Sequence, residues 1–213
     1  MAMAISAPAG PSVDAPGDTE LIVRARSGDL RAREALARRY RDPAYFLALQ
    51  LLGDPEEARD LAQDCLLRFF VKLDRFDAER PVLPWLRRIV RNGAIDLIRR
   101  RKVRRADSLD SSGPEGDSIE VLDVRADTEG DALDRERQRC VWACLQELSP
   151  AHREIVVLRD YQDLSYEQIA DVLGVPVGTV MSRLHRARHA LRTLVVERIP
   201  ELTTGGASPA GGG

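Results

Sequence analysis

Residues 165–192, SYEQIADVLGVPVGTVMSRLHRARHALR, constrain the fold more than any other stretch, because cap, turn and helix faces coincide there. Ser165 and Gln168 stand at the spacing of a capping box, in which each side chain satisfies a backbone N–H that the first helical turn leaves unpaired. Ile169, Ala170 and Leu173 fall on one inward face. Gly174 supplies a tight turn that a Cβ would disfavour, and Pro176 restarts the chain. Val180 and Leu184 then anchor a second helix whose exposed side carries Thr179, Ser182, Arg183, Arg186 and Arg188. A small residue, glycine four positions on and an aliphatic residue six further is the spacing of a helix-turn-helix, whose second helix enters the major groove of DNA. A basic helical hairpin with a merely solvated face would need all three features to coincide by accident.

The rest of the chain also reads as helix. Aromatic residues are only 5% of 213, against 44% hydrophobic, which suits helices packed through Leu, Ala, Val and Ile rather than a sandwich or barrel. Thr19 is a candidate cap for a short helix through Arg26. Gly28-Asp29 opens a second to about Tyr40, and Asp42-Pro43 opens a third that Gly53 ends. Asp54, with Glu57 three residues on, starts a long helix that places Ala58, Leu61, Ala62, Cys65, Phe69 and Leu73 on one face and Asp60, Gln63, Asp64 and Arg68 on the other. After a loop over 74–83, Pro84 stands in the first turn of a further helix. Leu86, Ile89, Val90, Gly93 and Leu97 form its buried stripe, and Arg87, Arg88, Arg91, Asn92 and Arg99 its opposite side. Leu133, Cys140, Cys144 and Leu148 mark another, and Ser149-Pro150 caps the next. No strand pattern or solenoid repeat is present.

Composition divides the chain into segments. Residues 1–17 and 201–213, rich in Ala, Gly, Pro and Ser, are expected to be disordered tails. Helical blocks at 18–105 and 133–200 are separated by an acidic, non-periodic stretch, 106–132, that reads as a flexible linker. The predicted fold is therefore all-α, with two helical domains. A net charge of -2 excludes a uniformly basic nucleic-acid coat but permits segregated patches. Three cysteines, Cys65, Cys140 and Cys144, make no disulfide framework and argue for a reducing, cytoplasmic setting. Cys140 and Cys144 read as core thiols, and His152 beside them is too little for a zinc site. No apolar run reaches the roughly 18 to 20 residues of a membrane span, and no basic-then-apolar leader precedes the first block. Ser149, His152 and Asp160 do not make a triad. No phosphate-binding glycine loop or converging acid and base is visible, so the chain reads as a non-enzyme without metal or cofactor.

Residues 145–194, LQELSPAHREIVVLRDYQDLSYEQIADVLGVPVGTVMSRLHRARHALRTLV, closely resemble region 4 of the extracytoplasmic-function (group 4) sigma-70 factors, the promoter-specificity subunits of bacterial RNA polymerase. Residues 57–105 resemble region 2 of the same family through the Asp60, Gln63, Asp64 face, Pro84-Trp85-Leu86, Arg91-Asn92, Asp96 and Arg99-Arg100. Regions 1.1 and 3 of the larger sigma factors have no counterpart.

This resemblance implies a set of roles. Asp60, Gln63 and Asp64 would dock on the β′ subunit of core polymerase, with contacts to β completing the assembly. Arg75, Phe76, Arg80, Arg87, Arg88, Arg91 and Asn92 would hold the melted strand of the -10 element, a task that needs cations on the backbone and a pocket for a splayed base. Phe76 and Trp85 are at the same time expected to pack inward, as single aromatics at loop-helix junctions do. Thr179, Ser182, Arg183 and Arg186 would read the -35 element, their split between bases and phosphates left open. An anti-sigma factor covering both domains is a further implied partner, and a stress or envelope response the implied setting. Pro176 and Met181 stand where the family often has polar and basic residues, which leaves the -35 preference open. A stand-alone repressor would share the helix-turn-helix but need no acidic docking face followed by a basic strand-binding helix. The two arginine clusters disfavour an adaptor that binds no nucleic acid.

Overall fold

The computed structural model describes residues 17–107 and 131–198; the expected tails and most of the expected linker lie outside them. Among the described residues the chain is helical, without strands. The first unit comprises α1 (Asp18–Arg26), α2 (Leu30–Leu52), α3 (Pro55–Lys72) and α4 (Val82–Asp107), with a 3-10 turn over Leu73–Arg75. The second comprises α5 (Asp131–Glu147), α6 (Pro150–Val156), α7 (Tyr166–Leu173) and α8 (Val177–Arg198), with a π-helical turn over Val157–Tyr161.

Asp29 and Asp54 cap α2 and α3, each carboxylate accepting two backbone N–H groups of the first turn. Gly53 ends α2 in the left-handed region at φ 73°. Two sequence expectations give way here. The helix expected to begin at Asp42-Pro43 is the continuation of α2, with Pro43 inside it. An interior proline costs about 3 kcal/mol. Leu36, Tyr40, Ala44, Leu47, Ala48 and Leu51 nonetheless form an unbroken buried stripe across it, and each buried leucine contributes about 1.5–3 kcal/mol, so continuity wins. Likewise, Thr19 does not cap α1. Gly17 holds that position, and the Thr19 hydroxyl donates to the Ala78 carbonyl at 3.0 Å. Glu57 also departs from its expected capping role: its carboxylate accepts from Arg101 Nε at 2.9 Å, tying α3 to α4.

The core of the first unit is aliphatic around one aromatic knot. Phe69 is buried and meets Tyr40, Phe76 and Trp85 at ring-centroid distances of 6.4, 5.5 and 5.4 Å. Each such pair adds about 0.5–1.5 kcal/mol beyond its area. Gly93 lets α4 approach α3 closely, since a Cβ there would collide with Leu61 Cδ1. In the second unit, Ser165 and Gln168 form the expected reciprocal capping box, and Gly174 closes α7 at φ 66°. Val180, Leu184 and Ala187, buried on one side of α8, seat it against the unit's core.

Candidate nucleic-acid interface

The segment between α3 and α4 is held in place from α1. Arg26 Nε donates to the Leu73 carbonyl at 3.0 Å, and its Nη2 donates to the Phe76 carbonyl. With Thr19 on Ala78, these bonds fix a loop that would otherwise satisfy its carbonyls with water. The loop so fixed frames a hollow of about 330 Å³ lined by Lys72, Arg75, Phe76, Asp77, Arg80 and Trp85. Phe76 and Trp85 pack edge to face at 5.7 Å. Their outer surfaces give the hollow an apolar floor, while Lys72, Arg75 and Arg80 lie exposed at its rim. Arg80 also pairs with Asp77 at 3.3 Å, an exposed contact of small energetic consequence. An apolar floor with a cationic rim suits a flat, uncharged ring attached to an anionic backbone.

The other four residues of the expected strand-binding set lie elsewhere. Arg87, Arg88, Arg91 and Asn92 stand on α4, and three of them face the second unit. Arg88 Nη2 donates to the Asp171 carbonyl at 2.7 Å, Arg91 pairs with Glu154, and Arg87 Nη2 is 3.5 Å from the Gln162 carbonyl. Burial pushes the Arg87 guanidinium below its ordinary pKa. Arg91 Nη1 also donates to Asn92 Oδ1 at 2.9 Å. The hollow therefore gathers Arg75, Phe76 and Arg80 but not the α4 arginines.

Asp60, Gln63 and Asp64 lie together on the exposed face of α3. Leu67 and Val71, 56% and 84% exposed, extend that face along the same helical stripe. The acidic end was legible from charge, whereas the apolar end was hidden among the helix's inward hydrophobics. Lys72 and Arg26 also escaped notice: Arg26 reaches its partners across about fifty residues of sequence, and no local pattern marks it.

On α8, Thr179, Ser182, Arg183 and Arg186 share one side, at spacings of three and four, opposite buried Val180, Leu184 and Ala187. The Ser182 hydroxyl donates to the Thr179 carbonyl at 3.2 Å and Arg186 Nε to the Ser182 carbonyl at 3.3 Å, so the side chains lie along the helix. Arg188 is exposed, as the sequence leads one to expect, and pairs with Asp160 of the π-helical turn. Cys144 is buried and Cys140 partly so, in keeping with core thiols. Among the described residues no group of His, Cys, Asp and Glu side chains gathers to hold a metal ion, and no helix is long and apolar enough to cross a membrane.

Residues 36–104 match the model of sigma-70 region 2, and residues 138–191 that of sigma-70 region 4. The ECF RNA polymerase sigma factor SigW of Bacillus subtilis is 33% identical over 80% of this chain and 92% of its own length. The RNA polymerase sigma-H factor of Pseudomonas aeruginosa is 34% identical over 82% and 91%. Among solved structures, the sigma factor RpoE in complex with the anti-sigma factor NepR from Bartonella quintana matches with a TM-score of 0.61, at 26% identity, over 76% of this chain and 95% of that one. CnrH in complex with the cytosolic domain of CnrY matches with a TM-score of 0.57, at 30% identity, over 84% and 96%. The chain thus belongs to the extracytoplasmic-function sigma-70 factors, the promoter-recognition subunits of RNA polymerase.

Proposed function

We propose that α3 docks on core polymerase, the Phe76–Trp85 hollow captures an unstacked base of the -10 element, and α8 reads the -35 element. The chain thereby directs DNA opening at a set of stress or envelope promoters. In this reading residues 18–105 are the region 2 domain, 106–132 the flexible connection, 133–200 the region 4 domain, and 1–17 and 201–213 tails. The protein is a cytoplasmic, non-enzymatic factor without cofactor or metal, regulated by an anti-sigma partner. The hollow carries this reading: a protein that only reads duplex DNA has no use for an apolar floor ringed by Lys72, Arg75 and Arg80, whereas a flipped base and its phosphates need both. The stripe from Asp60 through Val71 supplies the polymerase contact, with charge for steering and apolar area for grip.

The docking assignment is tested by Asp64→Arg. An exposed substitution on this face changes stability by no more than about 0.5 kcal/mol. The variant is expected to keep its helical circular dichroism and lose most of its retention on immobilised core polymerase. Retention equal to the parent chain contradicts the docking role of α3.

A further inference from the structure

The exposed arc of α8 is wider than the row of Thr179, Ser182, Arg183 and Arg186. Thr179 and Arg183 are half-buried at its edge, whereas Gly178, Met181, Ser182, His185, Arg186 and His189 are exposed. At about 100° per residue, Gly178, Ser182, His185 and His189 fall within about 60° of one another, on the crest opposite buried Val180, Leu184 and Ala187. Met181 stands on one flank of that crest and Arg186 on the other. Gly178 heads the crest with open space around it, and a bare backbone there allows the edge of a groove to come close. A recognition helix presents its base-reading side chains from its N-terminal turns. At about 1.5 Å per residue, His185 lies about 12 Å from the start of α8, which is the width of the major groove, and His189 lies beyond it.

Met181 and His185 face solvent without a counterpart in the chain. Met181 is 53% exposed and stands outside the hydrophobic core. An unbranched, polarisable thioether left in water is stabilised by covering an apolar group. His185 has no hydrogen-bond or ion-pair partner among the described residues. Its neighbours on the arc do: the Ser182 hydroxyl is on the Thr179 carbonyl and Arg186 Nε on the Ser182 carbonyl. In the major groove the apolar feature is the C5-methyl of thymine. Guanine presents N7 and O6 as adjoining acceptors, whereas adenine sets an amino donor beside its N7. We infer that Met181 and His185 determine the sequence α8 selects: Met181 covers the methyl of a thymine, and an imidazole N–H of His185 donates to N7 of a guanine. This rests on the reading of the -35 element proposed for α8. The two residues are four apart, about 6 Å along the helix, so the two bases lie about two steps apart at about 3.4 Å each.

The test uses holoenzyme assembled from core polymerase and the full-length chain, with a pool of duplexes that carry one mapped promoter randomised over its -35 element. Duplexes retained by the parent holoenzyme are expected to share a thymine and a guanine about two base pairs apart. Met181→Ala and His185→Ala, both at exposed positions, are each expected to lose about fivefold of preference at one of these bases and to keep it at the other. Changes of single atoms in a selected duplex then identify each contact, with affinity read by fluorescence anisotropy. Uracil in place of the thymine lacks the methyl, and is expected to weaken the parent about fivefold and leave Met181→Ala unmoved. In the same way 7-deazaguanine, which lacks N7, should weaken the parent and leave His185→Ala unmoved. Variants that keep the parent's base preferences, or that respond to uracil and 7-deazaguanine as the parent does, overturn the roles of Met181 and His185 and leave α8 as the reader of the -35 element. Retained duplexes with no common sequence in the randomised stretch overturn both.

Discussion

Cys65 sits in the interior of the first unit, where burial pushes its thiol up to about 11. From a starting value of 9.0, a rise of that size lowers the thiolate fraction at pH 8 about a hundredfold, and the thiolate is the reactive form. Cys65 is therefore expected to resist iodoacetamide at pH 8 in the native chain and to react when the chain is unfolded in guanidinium, as mass spectrometry of the labelled peptides will show. Labelling of Cys65 at the rate of a free thiol contradicts the packing of α3. On α8, Arg183→Ala and Arg186→Ala separate two kinds of DNA contact. An arginine bidentate to guanine contributes about 1–3 kcal/mol of sequence discrimination, whereas one on a phosphate weakens all sequences alike and lowers the salt slope by about one. Each variant is expected to show one pattern or the other in promoter-dependent transcription at graded salt. Unchanged transcription by both removes α8 from the -35 contact. Single residues differed in how legible they were. Asp60, Asp64, Arg183 and Arg186 show charge at helical spacing, and the roles proposed for them and for Gln63, Thr179 and Ser182 come from the family resemblance. Arg26 works by reaching backbone carbonyls far away in sequence, and Arg188, which carries the same charge as Arg186, is consumed by Asp160. Charge reveals a possible partner but not which partner is near.

Helix boundaries followed local chemistry where a cap or a left-handed glycine stood alone. Ser165 with Gln168, Gly174, Gly53 and Ser149 each stop or start a helix where their side-chain and backbone preferences require. Pro43 shows the limit. Its local signal says that a helix starts, and the apolar stripe from Leu36 to Leu51 overrules it. That stripe is buried chiefly against α3 and α4, with α1 beside them, and a short window of sequence does not contain those partners. Pro43→Ala is accordingly expected to restore an intrahelical bond to α2 and raise stability by about 1–3 kcal/mol, seen as a higher midpoint in urea. A lower midpoint means that the proline shapes a bend on which packing depends.

At the scale of the molecule, the two-unit, all-α plan was readable because helical periodicity fills both blocks and the motifs fall in order. The meeting of the units was not readable. In sequence Arg91 reads as a strand-binding cation and Gln50, Arg153 and Glu154 carry no motif, and their contacts exist only once α2, α4 and α6 are brought together. The hollow is equally non-local: Lys72, Arg75 and Arg80 become a rim only because Arg26 holds the loop and Phe69 seats Phe76 and Trp85 beneath it. Its parts come from α1, α3 and α4, and the second unit contributes none, which is the arrangement expected of a chain that reads two separate promoter elements. The most direct test of that claim is transcription in vitro from genomic DNA fragments of the organism that carries the chain, with start sites mapped for core polymerase alone and for core polymerase plus this protein. The account predicts new start sites that share one upstream pair of -35 and -10 sequences at fixed spacing and that vanish for Asp64→Arg. No new start sites, together with specific duplex binding by the protein in the absence of polymerase, contradicts it.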